Sequence, residues 1–494
     1  MTTEPYIDVV MRKLAARRQA VVLICGDTPW RADEFRRCIH RYARALGSQG
    51  LGPGALVALW ASNSAQALAI RYAANLIGAA TCFLSAPETP QARSALLRTM
   101  APDLVVVFPE TAHLLPADVG VPVVAAGETG HGLPRLDILA DGAVADPVAS
   151  VARPGDLAII VSSGGSTGVP KGSCRSFASY AALAVTDDNP GRRQLVNGKL
   201  AYLSQVLVDQ TLTGGGLVIL RDHVDPTDTL VQIERHAITD LFLVEPQLFS
   251  LMNHPRLADA NLTSLRRLLH IGASAPATLR RRAVERFGPV LVHTYGASEA
   301  GLVSRLGSDG YAADPEALSS AGRILPGVEV RLRRPDGMIA GPGAAGTIEI
   351  RSGAIAAGYR NAPERTAATF VDGWCHTGDL GRFDAAGRLH VLGRAVDMAR
   401  EGGKLISPTM IENLLCRDAS IRQATVVRDA DARRWVALVQ RAKRSFDGDR
   451  AMGLLAGALG KAVAEATTLV PIDHVPLTEQ GKPDRAAILR LRPV

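Results

Sequence analysis

The chain has 494 residues, of which 47% are hydrophobic and 21% are charged. This length suits roughly two or three globular domains, and the composition supplies a large apolar core. The net charge of +7 and the isoelectric point near 9.2 raise the question of nucleic-acid binding. The basic residues are scattered among acidic ones, however, and the densest groups, 280–282 and 331–334, are explained more simply as solvated faces of a helix and a strand. We therefore exclude nucleic acid and expect small anionic partners.

The cysteine spacing and the lengths of the apolar runs argue against zinc-binding, disulfide-bonded and membrane-spanning proteins. The six cysteines, at 25, 38, 82, 174, 375 and 416, stand far apart and never form a Cys-x-x-Cys pair, which argues against zinc and against a disulfide scaffold. The N-terminal sequence Met-Thr-Thr-Glu-Pro-Tyr lacks a secretion signal, and no apolar run reaches the ~20 residues of a membrane-spanning helix. We predict a cytoplasmic protein without a membrane span.

The first part of the chain alternates helical and strand patterns. Apolar residues recur every three or four positions over 32–46, which predicts a packed helix, and a second helix is predicted over 65–77. Short apolar runs at 55–60 and 104–108 predict buried strands. Strands that alternate with helices form parallel sheets covered on both faces, so the sequence predicts an α/β fold.

The middle of the chain continues this pattern and then changes. The strands predicted there are 157–162, 241–244 and 268–271, followed by a β-rich stretch with strands at 328–332, 346–351 and 389–391. A compact α+β segment of about 100 residues ends the chain. We predict a large N-terminal domain of parallel α/β sheets with a β-rich subdomain (1–393), a boundary at 394–397 and a small α+β C-terminal domain (398–494).

Residues 162–172 read Ser-Ser-Gly-Gly-Ser-Thr-Gly-Val-Pro-Lys-Gly directly after a predicted strand. Glycines let backbone N–H groups surround an anion, hydroxyls donate to phosphate oxygens, and Lys171 adds positive charge. The segment is not the loop of nucleotide hydrolases, because no Gly-Lys-Ser/Thr triplet closes it. A flexible surface linker is the alternative, which the Pro-Lys-Gly ending disfavours. We predict a phosphate-binding loop.

This loop resembles the phosphate loop of the adenylate-forming superfamily, which includes acyl- and aryl-CoA ligases, nonribosomal adenylation domains and luciferases. Further segments resemble the family's motifs in its order and spacing. They are Tyr-Gly-Ala-Ser-Glu at 295–299, Gly-Trp-Cys-His-Thr-Gly-Asp at 373–379, Gly-Arg-Ala-Val-Asp at 393–397 with two glycines at 402–403, and Pro-Leu-Thr-Glu-Gln-Gly-Lys-Pro-Asp-Arg at 476–485. The likeness covers essentially the whole chain.

The resemblance implies roles for the matching residues. Lys482 would stabilise the charge that builds up when a carboxylate attacks the α-phosphate. Glu299 would bind Mg²⁺, which prefers oxygen ligands. Ser298 is the third residue expected to take part in catalysis. Asp379 would accept both ribose hydroxyls, with Arg394 near the same sugar. The other expected contacts to ATP and AMP are Tyr295, Gly296, Ser163, Gly165, Ser166, Thr167, Gly168 and Lys171.

The resemblance also implies that one site serves two half-reactions. The small domain would be mobile and would swing about the hinge residue Asp397 between adenylation and thioester formation. After that rotation Gly402 and Gly403 would line the tunnel for the thiol.

The acid pocket is where the sequence departs from many acyl-CoA ligases. Gly164-Gly165 stands where many of them have Ser-Gly, and Gly-Gly is the form associated with aryl-acid members. Val206-Leu207 stands where many carry a histidine or an aromatic residue. Asp209 would pair with the ammonium of an amino-acid substrate, since a buried aspartate needs a cation, or would instead cap the following helix. The predicted pocket residues are Val208, Asp209, Gly272, Ala273 and Ser274.

We therefore predict an acid–thiol ligase that uses ATP and Mg²⁺ to convert a small carboxylic acid into its acyl-AMP. The acyl group would then pass to coenzyme A or to the phosphopantetheine of an acyl or peptidyl carrier protein. Three alternatives stay open: a stand-alone amino- or β-amino-acid adenylation enzyme that loads a carrier protein, a family member that performs only one half-reaction, and a catalytically silent binding protein on the same scaffold.

Overall fold

The computed structural model of the protein describes residues 4–163, 171–271, 276–442, 446–478 and 481–491. In chain order the strands are β1 (Val21–Cys25), β2 (Thr28–Arg31), β3 (Leu56–Trp60), β4 (Ala80–Phe83), β5 (Leu104–Val107), β6 (Val123–Ala125), β7 (Leu157–Ser163), β8 (Lys171–Ser176), β9 (Arg193–Val196), β10 (Leu217–Leu220), β11 (Asp240–Val244), β12 (Arg267–Ile271), β13 (Leu291–Ala297), β14 (Gly301–Leu306), β15 (Arg323–Ile324), β16 (Val328–Arg333), β17 (Gly346–Ser352), β18 (Gly358–Tyr359), β19 (Phe370–Val371), β20 (Trp374–Phe383), β21 (Leu389–Arg394), β22 (Ala399–Glu401), β23 (Lys404–Ile406), β24 (Ile421–Asp429), β25 (Arg434–Arg441) and β26 (Thr467–Ile472). The α-helices are α1 (Tyr6–Ala16), α2 (Ala32–Ser48), α3 (Ala65–Leu76), α4 (Pro90–Met100), α5 (Leu136–Asp141), α6 (Phe177–Ala184), α7 (Gln205–Thr213), α8 (Pro226–His236), α9 (Glu245–Met252), α10 (Ala277–Phe287), α11 (Ser308–Ala313), α12 (Pro363–Thr369), α13 (Pro408–Leu415), α14 (Gly448–Leu459), α15 (Lys461–Glu465) and α16 (Arg485–Arg490).

The two largest sheets have nine and seven strands. One has nine strands in the order β15-β14-β13-β12-β11-β9-β10-β1-β2, and the other has seven in the order β18-β8-β7-β4-β3-β5-β6. The central strands of both sheets are parallel, whereas the antiparallel pairs lie at the edges. The structure therefore has the parallel α/β architecture that the sequence predicts.

The largest apolar core lies where α1, α2, α3, α6 and α7 pack against the two sheets. Helix α3 is buried over its whole length, and its first turn is capped by Ser64, whose Oγ accepts from the Ala67 N–H at 3.1 Å. A helix that is apolar on most faces fits such an interior position, whereas the amphipathic α2 buries only one side. The alternating pattern of the sequence thus corresponds to helices between sheets.

The β-rich region contains the sheet β16-β17-β20-β19, with β21 paired to β20. Two arginines of β16, Arg331 and Arg333, form ion pairs with Glu349, which is buried on β17. On α10, Arg280 is only 5% exposed and donates to the Ser320 carbonyl at 2.8 Å. The interpretation of the two groups as solvated faces is therefore wrong for Arg280, which is buried. Arg281 and Arg334 are exposed as expected, and Arg331 and Arg333 are half-buried and pair with a buried acceptor.

After β21 the chain turns through the 3-10 segment Ala395–Asp397 into the C-terminal elements. These are the hairpin β22-β23, the sheet β24-β25-β26 and helices α13 to α16, which share two apolar clusters of their own. Within the described ranges, no helix combines the length and the apolar character that a membrane crossing needs.

Candidate functional site

The predicted phosphate loop connects two antiparallel strands. Strands β7 and β8 form a hairpin in which Ser163 pairs with Lys171 and Ser162 pairs with Gly172. The loop residues named in the prediction, Gly165, Ser166, Thr167 and Gly168, lie outside the described residues, as does the side chain of Ser163. The described strands nevertheless fix both ends of the loop, so that Lys171 stands directly at its exit.

A buried arginine joins this hairpin to the next motif. Arg175 on β8 is 1% exposed, and its guanidinium donates to the Ser298 carbonyl at 2.6 Å and to the Ala354 carbonyl. Burial lowers the pKa of Arg175 to about 10. Sequence reasoning did not single out Arg175, because its partners are far along the chain. It anchors the turn that carries the candidate metal ligand.

Glu299 lies in the turn between β13 and β14, and hydroxyl groups hold its carboxylate from both sides. The Tyr359 hydroxyl donates to Oε1 at 2.6 Å, and the Ser298 hydroxyl donates to Oε2 at 2.8 Å. The ammonium of Lys171 lies 5.2 Å from the centroid of the Tyr359 ring. Burial, and next the charge of Glu299, raise the pKa of Tyr359, so this phenol stays a donor at neutral pH. Tyr359 was missed by the sequence analysis, although it connects the exit of the phosphate loop to Glu299.

The arrangement around Glu299 fits a magnesium ion. Its two carboxylate oxygens are oriented by single hydroxyl donors, which leave lone pairs for a cation. In the part of the chain that the structure describes, no cluster of three or more His, Cys, Asp or Glu side chains could hold a metal. A single protein carboxylate is nevertheless sufficient for Mg²⁺, which takes its other ligands from phosphate and water.

Asp379 and Arg394 face each other across the pair β20-β21. The register places the two residues opposite each other, and Arg394 Nε lies 3.1 Å from Asp379 Oδ1. The Tyr295 hydroxyl, from β13, donates to Asp379 Oδ2 at 2.6 Å. Burial raises the pKa of Asp379, and the charge of Arg394 opposes that rise. The structure thus brings together Tyr295, Asp379 and Arg394, which the sequence places in three separate motifs.

Lys482 stands on a short braced loop before α16. Its carbonyl accepts from the Thr478 N–H at 2.7 Å and from the Thr478 hydroxyl at 3.2 Å. The preceding Gly481 has φ +74°, and a Cβ there would lie 3.1 Å from Gln247 Nε2 on α9. A side chain at 481 would be strained and crowded, so glycine lets this loop approach the large domain.

The charge environment of Lys482 links it to the nucleotide motifs. Desolvation lowers the pKa of Lys482, next the positive charge of Arg394 lowers it further, and the charges of Asp379 and Glu299 oppose this. Solvent still reaches the side chain. The charges of Arg394, Asp379 and Glu299 therefore all act on the Lys482 ammonium, which suits a group that stabilises a phosphate and a carboxylate bound among them.

The structure contradicts both interpretations of Asp209. This residue is inside α7 rather than at its start, so it is not a helix cap. Its side chain is 0% exposed, and both carboxylate oxygens accept from Arg71, at 2.8 and 2.7 Å. The hydroxyls of Tyr72 and Tyr180 each donate to it at 2.5 Å. Its cation is therefore Arg71, and the prediction that Asp209 receives a substrate ammonium is wrong.

The other predicted pocket residues divide into two groups. Val208 is 0% exposed and packs in the main apolar core, so its assignment to the pocket surface is also wrong. Gly272, Ala273 and Ser274 lie outside the described residues. The chain before α7 forms the π-helical segment Leu200–Ser204, which contains the non-helical residue Tyr202 with φ −126° and ψ −143°.

The predicted hinge and thiol residues lie beyond the large sheets. Asp397 ends the 3-10 turn, and its carboxylate accepts hydrogen bonds from both terminal guanidinium nitrogens of Arg485. Gly402 and Gly403 form the exposed tip of the β22-β23 hairpin, with φ of +55° and +78°. A two-residue hairpin turn with positive φ at both central residues favours glycine, which explains the glycine pair structurally.

A buried carboxylate pair spans the contact between the two parts of the chain. Glu245, at the start of α9, is 8% exposed and accepts from Gln423 Nε2 on β24 at 3.3 Å. Glu412 on α13 accepts the Val426 N–H at 2.8 Å. Burial raises the pKa of Glu245 to about 7, and burial together with the nearby Glu245 raises the pKa of Glu412 well above its usual range. No role was assigned to either glutamate from the sequence.

Comparisons with known proteins agree with this geometry. The sequence profile of the AMP-binding enzymes matches residues 11–360. The chain is 31% identical to a feruloyl-CoA synthase of Amycolatopsis sp, over 96% of this chain and 96% of the relative. It is 29% identical to the medium/long-chain-fatty-acid–CoA ligase FadD8 of Mycobacterium tuberculosis, over 94% of this chain and 86% of the relative. The structure of the amide bond synthetase McbA from Marinactinospora thermotolerans matches with a TM-score of 0.86 and 29% identity, covering 98% of this chain and 99% of that one.

The fold and the convergent residues define an acid-activating enzyme that binds a nucleotide. The match over more than half of the chain then identifies the family: the chain belongs to the AMP-binding enzymes, the adenylate-forming superfamily. It is an ATP-dependent acid–thiol ligase, which activates a carboxylic acid as its acyl-AMP and transfers the acyl group to a thiol. The predicted family, fold class, enzyme class and use of ATP and coenzyme A are confirmed.

Proposed function

We propose that this chain activates an aryl or arylalkyl carboxylic acid without an ammonium group and transfers it to coenzyme A. The observation that carries the proposal is the buried ion pair between Asp209 and Arg71. Because Asp209 already has this cation, no carboxylate at that position is left to bind the ammonium group of an amino-acid substrate. The Gly164-Gly165 pair and the likeness to a feruloyl-CoA synthase both favour an aromatic acid.

Each polar residue of the site has a proposed task. The Lys482 ammonium lies between the attacking carboxylate and the α-phosphate and offsets the charge that grows during attack. Glu299, held by Ser298 and Tyr359, would hold Mg²⁺, which would supply further positive charge to offset that of the phosphates. Asp379 holds the ribose hydroxyls, and Arg394 keeps that carboxylate ionised and oriented.

The division into domains supports the second half-reaction. We propose that residues 1–393 and 398–494 move as two bodies about 394–397, with Asp397 as the hinge. Rotation removes the Lys482 loop from the site and brings Gly402 and Gly403 to it, so that their small size leaves room for a thiol. A carrier-protein acceptor and a cytoplasmic location stay predictions.

A second candidate acceptor is an amine. The likeness to an amide bond synthetase extends over 98% of this chain, which favours testing nitrogen nucleophiles beside thiols. The first step is the same in both cases, so only the acceptor distinguishes the two candidates.

Pyrophosphate exchange with matched acids tests the proposed substrate. We expect exchange with a hydroxycinnamic acid and with 3-phenylpropanoate but not with phenylalanine, which adds only an ammonium group to the latter. Preferential exchange with phenylalanine would overturn the proposal. The product is then identified by mass spectrometry with coenzyme A, a pantetheine-loaded carrier protein and a primary amine offered separately.

The role of Lys482 is tested by comparing the two half-reactions. Lys482→Ala should lose most of the exchange activity yet still convert supplied acyl-AMP to thioester, because the lysine acts only in the first step. Lys461→Ala, which removes an exposed lysine on α15, is the matched control and should change neither rate. Equal loss of both steps in Lys482→Ala would contradict the two-orientation mechanism.

A further inference from the structure

An ion pair connects the proposed hinge to the last helix. Arg485 Nη1 donates to Asp397 Oδ1 at 2.6 Å, and Nη2 donates to Oδ2, so the guanidinium binds the carboxylate with both nitrogens. The Asp397 side chain is 12% exposed and that of Arg485 is 36% exposed. Two parallel bonds between planar groups fix direction as well as distance, which a single bond does not.

Arg485 is also rigidly joined to the loop of Lys482. It is the first residue of α16, whose N-cap Asp484 accepts from the Ala487 N–H at 3.0 Å. The Asp484 N–H in turn donates to the Pro476 carbonyl at 2.8 Å, which closes the base of the loop. Displacement of Arg485 would therefore move the loop that carries Lys482.

The pair lies at the point about which the C-terminal part is proposed to rotate. Asp397 ends the turn that follows Arg394, the last residue of β21. A rotation about the Asp397 backbone would redirect its carboxylate relative to Arg485, and the two-bond geometry would be lost. The charge of Arg485 opposes the rise in the pKa of Glu412 that burial and Glu245 cause, so this positive charge acts at the buried contact between the two parts of the chain.

We propose that the Asp397–Arg485 ion pair is a positioning element for adenylation, which holds the Lys482 loop in the nucleotide site. Arg485 does not touch the reacting atoms but acts through Lys482. The inference rests on the proposed function, since it takes Lys482 as the residue that stabilises the adenylation step. It assigns to Arg485 a role in the first half-reaction and none in the second.

The test compares Arg485→Gln with wild type in both half-reactions. We expect pyrophosphate exchange to fall about 10- to 100-fold, because a displacement of about 1 Å at a reacting group has an effect of this size. Transfer from supplied acyl-AMP to coenzyme A should be unchanged. Arg485→Lys keeps the charge without the planar fork, so it should lose less exchange activity, and it serves as the second variant if Arg485→Gln does not fold. Arg490→Gln removes an exposed charge from the same helix and should leave both rates unchanged.

A double variant shows whether Arg485 acts through the lysine. On the Lys482→Ala background, Arg485→Gln should cause no further loss of exchange, since the group that it positions is gone. A further loss there, an equal loss of both half-reactions in Arg485→Gln, or full exchange activity in that variant would overturn the inference. If instead wild type shows no exchange, or Lys482→Ala keeps full exchange, then the proposed function fails, and the two failures are distinguishable.

Discussion

The buried ion pair of Asp209 gives the sharpest prediction about stability. Asp209→Asn keeps the shape of the side chain but leaves the guanidinium of Arg71 charged at 0% exposure. Asn offers one carbonyl oxygen where Asp offers two, so only one of the hydroxyls of Tyr72 and Tyr180 keeps an oxygen acceptor, and the loss combines the charge with one hydrogen bond. The rings of Tyr6, Tyr72 and Tyr180 lie 5.1 to 5.6 Å from the Arg71 guanidinium carbon and cannot replace a carboxylate.

The size of the effect follows from the isolation of this pair. Removal of one partner from a buried ion pair costs about 3–5 kcal/mol, because the other charge remains without compensation. A typical domain has only about 5–15 kcal/mol of net stability, so the variant should unfold at markedly lower urea concentration or temperature. Arg71→Met combined with Asp209→Asn leaves no unpaired charge and should recover much of the loss.

The assay combines unfolding with substrate selectivity. Far-UV circular dichroism follows urea unfolding of wild type, the single variant and the double variant, and pyrophosphate exchange compares phenylalanine with 3-phenylpropanoate. We expect a large stability loss in Asp209→Asn with unchanged selectivity in the molecules that stay folded. Full stability with a shifted preference between the two acids would refute the assignment of Asp209 to the core.

Three further predictions concern the site and the domain contact. The pKa of Lys482 lies below the ordinary 10.5, and the protonated ammonium is the active form. The adenylation rate should therefore fall as pH rises through that lowered pKa, and a rate that stays level through pH 10.5 would contradict this role. Burial raises the pKa of Glu245 from 4.5 to about 7, so its contribution to the contact between the two parts of the chain is complete below pH 4.5 and is lost as pH rises through about 7. Glu245→Gln should weaken this pH dependence in the ratio of adenylation to transfer, and an unchanged profile would exclude the role of Glu245. Gly403→Leu should spare pyrophosphate exchange and block thioester formation, since a large side chain at φ +78° is both strained and in the path of the thiol; normal thioester yield would exclude the tunnel role.

Local patterns in the sequence were sufficient for the fold class and for most elements near the site. The predicted helix over 32–46 is α2, and the predicted strand over 157–162 is β7, because hydrophobic periodicity and short apolar runs report burial directly. The motif at 295–299 could be located from its residues alone, since β13 and the following turn are contiguous in the chain.

Contacts between distant residues could not be predicted in this way. Asp209 pairs with a residue 138 positions earlier, and one sequence contains no signal for that distance. The pattern around Asp209 was compatible with a pocket, a cap and a core, and only the fold distinguishes them. Arg175 and Tyr359 were missed for the same reason, because their partners lie on other strands and turns.

The contact between Tyr295 and Asp379 has a consequence for how a nucleotide is recognised. This carboxylate already accepts a hydrogen bond from the Tyr295 hydroxyl and lies within ion-pair distance of Arg394, so its hydrogen-bonding capacity is partly in use. If Asp379 binds the ribose as proposed, a ribose hydroxyl either replaces the Tyr295 hydroxyl as the donor to Asp379 Oδ2 or donates to the same oxygen beside it. A hydrogen bond to an ionised carboxylate contributes about 1.5–3 kcal/mol, and because the Tyr295 hydroxyl already makes one, the exchange returns only part of this as net affinity. The sugar contact therefore sets the alignment of the α-phosphate with the acid, while the tightness of ATP binding has to come from the adenine and the phosphates.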